Sequence, residues 1–140
     1  MIDNRIKEIR EELEMTQQEI GYVFGVSSST FAGWENGHDI IPLQKLVKFA
    51  NMYKYSLDYI ARLNRVNNYL PISKLNKTKI GKNLHTIRKR LNLTQRDIVN
   101  ECAISQTTYS NYEKGYYLVS TMTLYTICKN HDLSMDEILR

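Results

Sequence analysis

The chain has 140 residues, 42% hydrophobic and 24% charged, with a net charge of +4, the composition of a soluble globular protein. No apolar run approaches the roughly 18 residues of a membrane span, and the opening MIDNRIKEIREELE is too charged for a signal peptide, so a cytoplasmic protein without membrane contact is expected. Charge is divided unevenly: residues 1–70 hold 8 Lys/Arg against 9 Asp/Glu, a balance of −1, and residues 71–140 hold 11 against 6, a balance of +5. The second half has the cation excess that suits a polyanionic partner, although a solvated lysine-rich face has the same composition.

Sliding the sequence by 78 residues without a gap aligns 2–62 with 80–140, and 16 of the 61 positions are identical. Others exchange like for like: Ile6 with Leu84, Met15 with Leu93, Phe31 with Tyr109, Trp34 with Tyr112. An internal duplication explains this pattern, so two domains of about 60 residues, each with a modest core, are expected.

In chain order, each copy reads as five short helices and no strand. Helix one carries Ile6, Ile9 and Leu13, or Leu84, Ile87 and Leu91, on one face. Thr16 with Glu19 forms a capping box at the start of helix two, and Thr94 with Asp97 repeats it with a shorter acid. Helix two ends near Phe24 or Cys102, where Gly25-Val26-Ser27 or Ala103-Ile104-Ser105 forms a turn. Glycine suits a left-handed first turn position, and Ala103 departs from it. Ser27 and Ser105 cap helix three, which ends at Gly37 or Gly115. A fourth helix centres on Leu46 or Leu124, and a fifth starts at Ser56 or Ser134. Pro71 and neighbouring asparagines break the chain between copies, giving domains at 1–66 and 78–140 with a linker at 67–77. Tyr69, Leu70 and Ile72 in that linker could dock on either domain.

Two short helices joined by a tight turn, the second exposing small polar side chains, match the dimensions of a major groove. With Phe31 and Trp34, or Tyr109 and Tyr112, turned inward, positions 28, 29, 32, 33 and 36 face outward. In the second copy these are Gln106, Thr107, Ser110, Asn111 and Lys114. Gln and Asn can bond adenine through two hydrogen bonds, Thr can meet a thymine methyl, and Lys can reach phosphate or guanine.

The stretches IGKNLHTIRKRLNLTQRDIV and ISQTTYSNYEKG resemble the helix-turn-helix domains of the phage lambda repressor and Cro family, also called the xenobiotic-response-element type. The first copy, IKEIREELEMTQQEIGYVFGVSSSTFAGWENG, is similar to the same family through its Thr-Gln, turn Gly and Glu-Asn-Gly landmarks. The resemblance implies an all-α fold of two tandem five-helix domains and double-stranded DNA as partner. It implies phosphate contacts by Gln17 and Gln95, and base reading by Ser28, Ser29 and Gly33 or by Gln106, Thr107 and Asn111. Ser110 joins the base-reading set, and Asn36, Lys114 and Tyr116 the phosphate-contacting set. It further implies structural ion pairs of Arg10 with Glu35 and Arg88 with Glu113.

Several residues have plainer explanations. Phe31, Trp34, Tyr109 and Tyr112 read as core. Tyr116 and Tyr117 either touch the DNA backbone or close the domain, and His85, Lys89 and Arg90 either meet phosphate or form a solvated face. Cys102 and Cys128 read as reduced apolar residues. The chain has no nucleophile with a matched base, phosphate-cradling glycine loop or metal cluster, so neither enzyme activity, cofactor nor metal is expected.

The copies are not equivalent at the outward positions. The first presents Ser28, Ser29, Ala32 and Gly33, with Glu8, Glu11, Glu12 and Glu14 on helix one and His38-Asp39-Ile40-Ile41 after helix three. The expected function is therefore a sequence-specific transcriptional regulator of repressor type, from a bacterium or phage, with the second copy as principal reader. Two copies in one chain, or two chains of a homodimer, could address half-sites about 34 Å apart. The alternative gives DNA binding to the second copy and dimerisation or protein-partner binding to the first, as in an antitoxin-type regulator. Nonspecific architectural binding is a third reading.

Overall fold

The computed structural model describes residues 2–140, which divide into two compact units, 2–70 and 71–140, each with five helices. The first holds α1 (Ile6–Glu12), α2 (Gln17–Val23), α3 (Ser28–Asn36), α4 (Leu43–Tyr53) and α5 (Leu57–Ile60). The second holds α6 (Lys77–Arg90), α7 (Gln95–Cys102), α8 (Gln106–Glu113), α9 (Thr121–His131) and α10 (Met135–Leu139). Among the described residues there is no strand, and the fold is all-α.

Local chemistry accounts for the helix boundaries. Thr16 and Thr94 accept from the backbone N–H groups of Glu19 and Asp97, and both acidic side chains reach back to close complete capping boxes. Ser27, Ser56, Ser105 and Ser134 cap α3, α5, α8 and α10 in the same way, each accepting from the N–H three residues on. Each such cap contributes about 1 kcal/mol.

The first core is aromatic: Phe24 packs on Phe31 at 6.2 Å and on Phe49 at 5.7 Å between ring centroids. In the second core Cys102 and Ile127 stand where Phe24 and Phe49 do, around buried Leu84, Ile98, Tyr109, Leu124 and Met135. Burying each large apolar side chain contributes roughly 1.5–3 kcal/mol, so the two patterns are alternative fillings of one frame.

Two features differ from the sequence-based expectation, and a third gives the side on which the linker docks. Leu13 and Leu91 are not on the buried faces of α1 and α6 but are C-cap residues, 37% exposed. Helix α6 has 14 residues against 7 in α1, because Asn76 caps it about two turns ahead of the aligned start. The segment read as linker is partly built into the first unit. Asn67 accepts from Ser56 N–H at 2.8 Å and donates to Lys54 O, and the Tyr69 hydroxyl bonds Asn51.

The turn before helix three is a direct test of backbone strain. Gly25 has φ +69° with open space around its Cα, whereas Ala103, at the aligned place, takes φ +53° with a Cβ. Ala103→Gly should therefore stabilise the second unit by about 0.5–1 kcal/mol, and Gly25→Ala should destabilise the first by a similar amount. Urea denaturation of each variant reads the two signs, and equal signs would refute the strain account.

Candidate nucleic-acid interface

In the second unit the sequence places Gln95 at the first position of α7 and Gln106 at the first position of α8, each directly after its cap. The fold brings these two helix starts together. Gln106 Nε2 donates to Gln95 Oε1 at 2.6 Å, and Gln95 Nε2 donates to Glu113 Oε1 at 3.1 Å. Glu113 is held in turn by Arg88, whose Nε donates to Oε2 at 2.6 Å and whose second terminal nitrogen donates to Oε1 at 3.0 Å. Arg88 also donates to Leu93 O at 2.9 Å, which ties the end of α6 to the start of α7.

Burial alone would push the Glu113 carboxyl up, but hydrogen bonds from Arg88, His85, Tyr109 and Gln95 hold it down at about 2. It is therefore a fixed anion at neutral pH, and Gln95 is oriented by it. A carboxamide has two N–H donors and an oxygen acceptor. After these bonds Gln95, half-buried, keeps one N–H, and Gln106, exposed, keeps one N–H and its oxygen. Rigid polar groups of that kind bind a partner with little further ordering cost.

The remaining residues of α8 extend this face. Thr107 is exposed, and Ser110 and Asn111 are half-buried; among the described residues, none of these three side chains makes a hydrogen bond. Lys114, the C-cap of α8, is exposed with its ammonium 5.8 Å from the Tyr116 ring centroid. Tyr116 and Tyr117 are exposed beyond it. His85 Nδ1 lies 3.0 Å from Glu113 Oε1, and Lys89 stands one turn further along α6.

The first unit repeats the frame with different contents. Arg10 Nε donates to Glu35 Oε2 at 2.5 Å, and Gln17 Nε2 donates to Glu35 Oε1 at 2.8 Å. The connection to helix three is absent, since Ser28 stands where Gln106 does and makes no side-chain bond among the described residues. The Ser29 hydroxyl lies 3.1 Å from that of Ser27, and Asn36 Oδ1 accepts from His38 N–H at 2.9 Å. Gly33, expected to face outward, is buried instead. The Asp39 carboxylate covers it, so that a Cβ there would stand 2.2 Å from Asp39 Oδ2. The role of Asp39 was missed from sequence, although a glycine inside a helix, which costs about 1 kcal/mol, was the available signal.

Charge follows the same division. Exposed Lys89 and Arg96 of the second unit align with exposed Glu11 and Gln18 of the first. Two first-unit lysines are engaged elsewhere: Lys45 and Lys48 donate to the carbonyls of Phe24 and Val23 at the end of α2. Among the described residues no group of three His, Cys, Asp or Glu could hold a metal ion, and no helix is long and apolar enough to cross a membrane.

Comparison with known proteins agrees with this geometry. A family described as helix-turn-helix matches residues 6–60, and a family described as helix-turn-helix domain matches residues 81–140. The chain thus carries two helix-turn-helix domains in tandem, of lambda-repressor-like form. Over 63 residues, 45% of its length, it is 32% identical to YobD of Bacillus subtilis, described as an uncharacterized HTH-type transcriptional regulator. Over 60 residues, 43% of its length, it is 37% identical to the antitoxin PezA of Streptococcus pneumoniae. The matches span 56% and 38% of those two proteins.

Proposed function

We propose that the protein is a sequence-specific, double-stranded-DNA-binding transcriptional regulator in which the second unit is the principal reader. The observation that carries this reading is the bonded series Arg88, Glu113, Gln95, Gln106. It presents two oriented carboxamides at adjoining helix starts, beside Thr107, Ser110 and Asn111. In this reading α8 lies in the major groove, with Gln106, Thr107, Ser110 and Asn111 toward base edges. Gln95, Lys114 and Tyr116 meet phosphates, aided by Lys89 and Arg96. The likeness to a transcriptional regulator and to an antitoxin supports the regulatory class. In the first unit Ser28 and Ser29 offer hydroxyls to bases, and Gln17 and Asn36 could meet phosphate, without comparable cations around them.

Selection of bound sites from random duplex DNA by the intact chain tests this. One reproducible motif is the expected result. Binding without enrichment, falling steeply with salt for every duplex alike, would replace sequence reading with nonspecific binding.

A second reading makes the first unit a dimerisation or partner-binding module, as in an antitoxin-type regulator. Its acidic helix one and covered Gly33 favour it. Sedimentation across a concentration range, with and without the selected duplex, separates a homodimer from a monomer.

A further inference from the structure

Gly33 lies inside α3 with helical rather than left-handed backbone angles, so its conformation does not require glycine. Close approach does. A Cβ would stand 2.2 Å from Asp39 Oδ2 and 3.0 Å from its carboxyl carbon. The loop is pinned there by two bonds: Asp39 N–H donates to Gly33 O at 3.1 Å, and His38 N–H donates to Asn36 Oδ1 at 2.9 Å. In the second unit the equivalent turn closes one residue earlier, with Tyr116 N–H donating to Asn111 O at 3.0 Å. That difference brings Asp39 back over its helix.

Gly33 aligns with Asn111, so the Asp39 carboxylate covers helix three where Asn111 projects in the second unit. We propose that Asp39 is a negative specificity determinant, which weakens the first unit's hold on duplex DNA and leaves the second as principal reader. The inference rests on the reading of the α8 face as the DNA side. Duplex DNA carries one negative charge per roughly 1.7 Å of axis, so a carboxylate held on the contact face meets like charge on approach. No neighbouring cation offsets it at the aligned places, because Asn36, Glu11 and Gln18 stand where Lys114, Lys89 and Arg96 do. Gly33 gives up helix stability to seat the carboxylate, and the pair acts as one device.

The test uses the full chain and measures binding to a random-sequence 30-base-pair duplex in low salt by fluorescence anisotropy. Asp39→Asn keeps the shape and removes the charge, and should bind about threefold tighter; Asp39→Lys should bind about tenfold tighter. Glu137→Gln removes the same charge from the one exposed side chain of α10 and should leave affinity unchanged, which separates position from net charge. Thermal melts confirm that each variant is folded. The proposal is overturned if neither Asp39 variant binds tighter than Glu137→Gln, or if only lysine does. It is also overturned if Asp39→Asn weakens binding, since the carboxylate would then be a contact, such as an acceptor for a cytosine amino group. A Gln106→Ala/Asn111→Ala chain measured alongside tests the second-unit reading separately. Undiminished binding there defeats that reading whatever the Asp39 variants do.

Discussion

Arg88→Ala is expected to destabilise the second unit by about 3–5 kcal/mol. The guanidinium is 7% exposed and the Glu113 side chain 5%, and their two bonds of 2.6 and 3.0 Å form a fork. Truncation leaves a buried carboxylate with only His85, Gln95 and Tyr109 as donors, and frees Leu93 O at the α6–α7 corner. A domain of this size has only about 5–10 kcal/mol of stability, so the loss should unfold a large share of it near 37 °C. The first unit contains Trp34, the only tryptophan, which makes the effect local to read. Circular dichroism in urea should show an early loss of helix while the Trp34 emission transition stays in place. An unshifted helical transition would mean that the ion pair is dispensable.

Acid should remove the same stabilisation. The Glu113 carboxyl is held at about 2 in the folded chain against an ordinary 4.5. A depressed acid contributes stability that is present above its unfolded value and lost as pH falls through its folded one. The loss should therefore run from about pH 4.5 down to pH 2 and amount to on the order of 3 kcal/mol. Glu113→Gln should be less stable at neutral pH and show a flatter acid limb in that window.

Gln106→Ala and Asn111→Ala should each cost about 1–3 kcal/mol on the selected duplex, roughly fivefold to a hundredfold in affinity. The two losses should differ in kind. Asn111 makes no side-chain hydrogen bond among the described residues, so its removal should relax base preference and leave the salt dependence alone. Gln106 also orients Gln95, through the 2.6 Å bond, so its removal should disturb a phosphate contact as well. A loss for Gln106→Ala that includes a part shared by all duplexes alike, against a loss confined to the selected duplex for Asn111→Ala, is the expected signature, with the salt slope unchanged in both because neither side chain is charged. Equal affinity for selected and scrambled duplex in wild type, or no loss in either variant, would remove α8 as the reading helix.

Much of the fold was legible because its determinants are local. The 78-residue repeat marked two units, threonine and serine caps marked helix starts, and apolar spacing placed Phe31, Trp34, Tyr109 and Tyr112 in the cores. Leu13 and Leu91 were misplaced because helical periodicity says nothing about where the last turn stops. The exposure of Gln106 and Thr107 likewise followed from chain-local spacing, whereas Gly33, which the same spacing turned outward, is buried.

What packing alone decided are the relations between residues distant in the chain. The bond between Gln95 and Gln106 spans 11 residues, and that between Gln95 and Glu113 spans 18. Neither leaves a periodic trace, since each depends on the angle at which two helices meet. The Asp39 carboxylate over Gly33 depends on how the loop after α3 turns back, and one residue of turn register separates it from the open face of the second unit. Local propensity and patterning therefore carried the frame of each helix-turn-helix. The distinction between an open and a covered helix-three face arose only when loops and helices closed on one another, because a charge acts on a surface through its position in space.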